Sequence, residues 1–122
     1  MTFEWRDGDY ALSLDTAALH TLPTRNFRKI LRMLRSDEDA LQRLGVALEV
    51  ATADAEDQTR EAERVRGEYY VPLKTVKGKK DRDAARVRNN ALNRSVRQAR
   101  AAQRGYSSLI NIFENYMEDL HK

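Results

Sequence analysis

Between Leu41 and Tyr69 the chain places mostly apolar or small residues at alternating steps of three and four: Leu41, Leu44, Leu48, Ala51, Ala55, Gln58, Ala62, Val65 and Tyr69, with Gln58 the one polar member. That spacing is an a/d heptad seam sustained over about four heptads, so these residues must form one continuous helix with a stripe that needs a helical partner. The helix is expected over 37–70, and a span of that length is about 50 Å. Ser36 reads as its capping residue, with Asp37, Glu38 and Asp39 in the first turn where the helix dipole favours negative charge. Pro72 ends it by pushing Val71 into extended geometry.

A second seam follows. Ala85, Arg88, Leu92, Ser95, Ala99, Ala102, Tyr106, Leu109, Phe113, Tyr116 and Leu120 repeat the same steps, with Val96, Ile110 and Met117 widening one flank. It predicts a long Arg-rich helix over 81–121, started by Asp81 or Asp83. The residues between, 71–80, form a basic loop. Two heptad helices joined by so short a loop fold back antiparallel. A turn centred on the loop would set Ala51 and Ala55 opposite Ala99 and Ser95, and Leu44 and Leu41 opposite Tyr106 and Leu109.

Upstream, Phe3, Trp5, Tyr10, Leu12 and Leu14 alternate at period two around Asp7-Gly8, a β-hairpin signature within 1–22. An isolated hairpin is marginal in water and must lean on the helices. Asp15 or Thr16 can cap a short turn through Leu19, and Pro23 stops it. A helix over 24–36, capped by Thr24, puts Phe27, Ile30, Leu31 and Leu34 on one face and Arg25, Arg28, Lys29, Arg32 and Arg35 on the other. The expected fold is therefore mainly α. It is a single domain, 1–122, built as a long antiparallel, coiled-coil-like helical hairpin with a short helix and a small β-hairpin at its base. Most large apolar residues lie at 106–120, so the base is thick and the far end thin, polar and basic.

Composition narrows function more than fold. With no cysteine, disulfide scaffolds, Cys-ligated zinc and thiol catalysis are excluded. His20 and His121 have no ligand at helical spacing, the serines have no local base, and the carboxylates lie on a solvated helix face. Gly78-Lys79-Lys80 lacks the rest of a phosphate loop. No catalytic residue, metal or cofactor is expected. No apolar run approaches the length of a membrane span, and Met1–Asp7 has neither a basic start nor an apolar core, so no signal peptide and a cytoplasmic location are expected.

Charge is unevenly placed. Segment 37–63 carries nine acids against two arginines, and segment 74–104 carries eleven bases against two acids. The two helices could simply neutralise each other across their seam. In the heptad frame of Ala85, however, Arg86 and Arg100 fall at b, and Arg97 and Arg104 at f, facing away from the partner helix. The candidate partner-binding residues are Lys77, Lys79, Lys80, Arg86, Arg97, Arg100 and Arg104. Two kinds of partner fit them, and a third reading uses a different surface. A protein with an acidic surface would be steered onto such a ridge. Nucleic acid would be held through its phosphates without sequence preference, because no aromatic lies between Lys74 and Arg104. A homodimer could bury the alanine seam or the Ile110/Met117 flank. Tyr69 and Tyr70 either cover the tip of the arm or line a ligand site there.

The segment Leu22-Pro23-Thr24-Arg25-Asn26-Phe27-Arg28-Lys29-Ile30-Leu31, preceded by the hairpin and followed by an acidic break and Leu41-Gln42-Arg43-Leu44-Gly45-Val46-Ala47-Leu48-Glu49, resembles the start of tail assembly chaperones from long-tailed phages of actinobacteria. The likeness spans residues 1–58, and the Arg-rich return helix departs from the pattern. It implies a helical, non-enzymatic assembly protein in the bacterial host cytoplasm, with another virion-assembly protein as partner, and it transfers no functional residue.

Overall fold

The computed structural model describes residues 1–122. Strands β1 (Thr2–Asp7) and β2 (Tyr10–Asp15) pair antiparallel, with Phe3 opposite Leu14 and Trp5 opposite Leu12. The loop between them is Gly8-Asp9, one residue later than the Asp7-Gly8 expected. Gly8 sits at φ 58° while Asp9 keeps a negative φ, the geometry of a turn with glycine in its first central position. Asp15 then caps a 3-10 segment, Thr16–Thr21, by accepting from the Ala17 N–H. Helices α1 (Thr24–Met33), α2 (Glu38–Tyr69) and α3 (Lys79–Leu120) follow, the last two packed against each other along most of the molecule.

The caps differ from the sequence reading. Thr24 lies inside α1, whose first turn closes on the Pro23 carbonyl with no side-chain cap. Asp37, not Ser36, caps α2, its Oδ1 accepting from the Ala40 N–H at 3.0 Å. The aspartate sits there because its other oxygen, Oδ2, accepts from the Trp5 indole N–H, also at 3.0 Å. One carboxylate thus starts the long helix and pins the hairpin to it. Arg43 adds to the junction, donating to the Glu4 carbonyl and lying 5.3 Å from the centre of the Phe3 ring. These two N–H donors, Ala40 first and Trp5 second, hold the Asp37 carboxyl below the usual carboxylate range.

The core lies at this end. The expected face of α1 is buried, with Phe27, Leu31 and Leu34 fully so, and it joins Leu19, Leu41, Leu44, Leu48, Tyr106 and Leu109. Each such side chain contributes roughly 1.5–3 kcal/mol by leaving water. Ile110 and Met117 pack on the same core from α3, so that flank is used within the chain.

The pairing of α2 with α3 is displaced from the expected register by about one heptad, a shift that preserves the a/d match. Gly45 lies against Phe113, Glu63 pairs with Arg100, and Glu38 meets His121. The reason is the linker. Helix α3 begins at Lys79, ahead of Asp81, and α2 stops at Tyr69, but the chain does not turn symmetrically between them. The side-chain amide of Asn89 accepts from the Val71 N–H (3.1 Å) and donates to the Val71 carbonyl (2.7 Å), so Val71 already lies level with Asn89. The first ten residues of α3 therefore overhang the end of α2 by about 15 Å. The linker climbs along them through a 3-10 turn at Leu73–Thr75 that packs on α3. In the arm the inner residues of α3 are Ala85, Asn89 and Val96, while Arg88 and Ser95, assigned to the seam from sequence, are exposed.

Two helical glycines sit in opposite surroundings. A Cβ on Gly105, in the middle of α3, would sit 2.8 Å from His20 Cβ and 2.9 Å from the His20 carbonyl oxygen, so the 3-10 segment can touch α3 only where no side chain intervenes. Gly67, near the end of α2, has nothing within 4 Å. Gly105→Ala should lower stability by about 1–3 kcal/mol despite alanine's better helix propensity. Gly67→Ala should raise it by about 0.5–1 kcal/mol. Midpoints of urea unfolding check both signs.

Asn89 is buried, 4% exposed, and its partner Val71 is half-buried. Asn89→Leu would strand the Val71 N–H and carbonyl and should cost about 1–3 kcal/mol. Faster amide exchange at Val71 and through the linker, with the base unaffected, is the accompanying signature.

Acid should release the β-hairpin before it unfolds the core. The Asp37 contribution is complete above the ordinary aspartate pKa of about 3.9 and is lost as pH falls through the lower native value. Trp5 emission should therefore change below about pH 4 while helical circular dichroism persists, and Asp37→Ala should leave emission in the released state at neutral pH.

Candidate functional site: a basic flank on the helical arm

The structure distributes the seven candidate cations over the linker and one long side of α3. Lys77 is exposed in the linker. Lys79 and Lys80 lie in the first turn of α3, not in the loop, where two positive charges oppose the helix dipole and only Asp81 offsets them. Arg86 pairs with Asp83 at 3.2 Å, one turn away on the same helix. Arg100 does not face away from α2. The register shift brings it to the edge of the seam, where its Nε and Nη2 both donate to Glu63 Oε1 at 3.0 and 2.7 Å. Arg86 and Arg100 thus belong to the protein's own charge balance. Lys77, Lys79, Lys80, Arg97 and Arg104 have no ion pair.

Arg97 is not isolated. With Arg94 and Asn90 from α3, and with Arg66 and Asn93 half-buried beside them, it lines a shallow groove across the α2–α3 seam. No carboxylate and no apolar side chain lines this groove, and none of the three arginines has an ion pair. Further along α3, Arg104 lines a second depression with Arg100, Gln103, Ser107 and Ser108. The arm therefore presents a continuous basic flank whose floor is two helices wide. Arg66 went unnoticed in the sequence because it lies at the end of the acidic helix. Part of the signal was present: its neighbour Arg64 has both Glu61 and Glu68 at helical spacing, while Arg66 has only Glu63, and that acid is taken by Arg100.

The acidic helix explains the asymmetry. Asp39 pairs with Arg43, Asp57 with Arg60, Glu61 and Glu68 with Arg64, and Glu63 with Arg100. Local pairs at i,i+3 and i,i+4 absorb much of α2's negative charge, so it does not reach across to Arg94 or Arg97.

Elsewhere the chemistry is sparse. A cleft of about 150 Å³ at the base is lined by Met1, His20, Val50, Asp54 and Tyr106 among others. The Tyr106 hydroxyl donates to the Thr16 carbonyl at 2.6 Å, and burial pushes its phenol above the ordinary value. His20 lies against that ring, centroids 5.1 Å apart, and its Nδ1 is buried without a partner. No nucleophile stands beside it. No cluster of three or more His, Cys, Asp or Glu could hold a metal, and no helix is long and apolar enough to cross a membrane. Tyr69 and Tyr70 are 56% and 45% exposed at the end of α2. Comparison with protein-family models, with curated proteins and with solved structures gave no match.

Proposed function

We propose that the chain is a non-catalytic interaction or assembly protein that docks an acidic protein surface along the basic flank of its arm. What supports this reading is the cluster Arg66, Arg94 and Arg97: three guanidiniums drawn from two helices into a groove without a carboxylate. Like charges held together and left uncompensated are relieved by an anionic partner, and a planar guanidinium grips carboxylates two hydrogen bonds at a time. Lys77, Lys79, Lys80 and Arg104 extend the surface to either side. On the resemblance of residues 1–58 to phage tail assembly chaperones, that partner is another virion-assembly protein.

The same flank would also accept phosphates, which makes nonspecific nucleic-acid binding the second reading; the absence of carboxylates from the groove serves it equally.

The two separate in one experiment. Poly-L-glutamate, as a flexible acidic polypeptide, should bind the protein at 50 mM salt, and Arg94→Glu/Arg97→Glu/Arg104→Glu should weaken it at least tenfold without loss of helical circular dichroism. Binding unaffected by the reversal overturns the reading. A labelled DNA duplex that binds more tightly than poly-L-glutamate and is lost with the same triple variant replaces it with the second.

A further inference from the structure

The arm is not the only uncompensated basic surface. Residues 24–36 contain five cations, Arg25, Arg28, Lys29, Arg32 and Arg35, and no acid. All five are exposed, because the opposite face of α1 is locked into the core by Phe27, Ile30 and Leu31. None makes an ion pair. The acids that follow directly in the chain are engaged elsewhere: Asp37 with Trp5 and the Ala40 N–H, Glu38 with His121, Asp39 with Arg43. Like charges three and four residues apart on a helix repel. Here the repulsion runs the length of α1 while the acids next in the chain are engaged elsewhere.

We propose that the outer face of α1 is a second docking surface, separate from the arm, and that its ligand is the sugar-phosphate backbone of duplex DNA. Arg25, Arg28 and Arg32 recur at steps of three and four, so they form one line about 10 Å long on α1, and Arg35 lies in the turn that directly follows the helix. A B-DNA major groove is about 12 Å wide, so guanidiniums at the two ends of that line reach phosphates on both rails of the groove. Phosphate contact of this kind positions a protein without reading sequence. No aromatic side chain is exposed on α1, so unpaired bases find nothing to stack on, which favours a duplex over a single strand. An anionic membrane fits less well. A helix that lies in a lipid interface buries an apolar face, and α1 has committed its own to the core, leaving only Met33 partly exposed. This surface stands whether or not the arm takes a protein partner.

The test is fluorescence anisotropy of a labelled 30-base-pair duplex with the full chain, at 50 and 200 mM salt. Four phosphate contacts predict that affinity falls roughly a hundredfold across that change. Arg28→Glu/Arg32→Glu should reduce affinity at 50 mM salt at least tenfold, whereas Arg97→Glu/Arg104→Glu should change it less than threefold. Should the double reversal perturb folding, as read by circular dichroism, the neutral pair Arg28→Gln/Arg32→Gln serves instead and should lower the slope of log affinity against log salt by about two. The proposal is overturned by no duplex binding at 50 mM salt, by a salt slope unchanged in the neutral pair, or by loss of binding through the arm variant alone. Tighter binding to phosphatidylserine vesicles than to the duplex also overturns it. Because the arm variant leaves α1 intact, failure here and failure of the arm's reading give different results.

Discussion

The offset between α2 and α3 decides what the rest of the arm can do. Heptad seams are satisfied by any displacement of whole heptads, so hydrophobic pattern alone leaves several equivalent pairings open. The linker chooses among them. By pairing both backbone groups of Val71 with one buried amide, Asn89 holds the end of α2 level with a point about ten residues inside α3. A backbone N–H and carbonyl withdrawn from water need partners, and this offset supplies both from one side chain. From it follow the Glu63–Arg100 bridge, the contact of Phe113 with Gly45, and the meeting of Arg66 with Arg94 and Arg97 in one groove.

The base solves a different problem. A two-stranded hairpin and a ten-residue helix are both too small to stand alone, and each is held by contacts that reach far along the chain. Asp37 binds Trp5 while it caps α2, Tyr106 in α3 ties down the Thr16 carbonyl, and Gly105 leaves room for the 3-10 segment to touch α3. The thick end is thus a small core, and the thin end a lever with little to bury. That division would suit the docking proposed along the arm and on the outside of α1, with the core as their mount.

Electrostatics follow the same logic of local pairing. Negative charge on α2 is drawn into i,i+3 and i,i+4 contacts with arginines on its own surface, and such pairs form readily because the helix has already fixed their spacing. Charge in excess of those pairs is what remains for a partner. On α1, and on α3 between Arg94 and Arg104, the excess is positive and lacks acids at helical spacing, which is why both stay basic although the whole chain is only +3.

Much of the architecture was legible from the chain. The two seams, the apolar face of α1 and the alternating strands each rest on a periodicity that a single element expresses by itself, so helices, hairpin and base could be read from spacing. Which of Asp7-Gly8 or Gly8-Asp9 makes the turn, and which of Ser36 or Asp37 caps α2, depended on what else was within reach. Trp5 chose the aspartate. The orientation of individual arginines was less legible still. Arg100 turned inward and Arg66 joined the basic groove because of an offset that no heptad count specifies. The sequence by itself determined the elements, their apolar faces and the sign of charge on each, because these depend on residues a few positions apart. Only the tertiary structure decided the register, the caps and which charges are left unpaired, because those depend on groups brought together from distant parts of the chain.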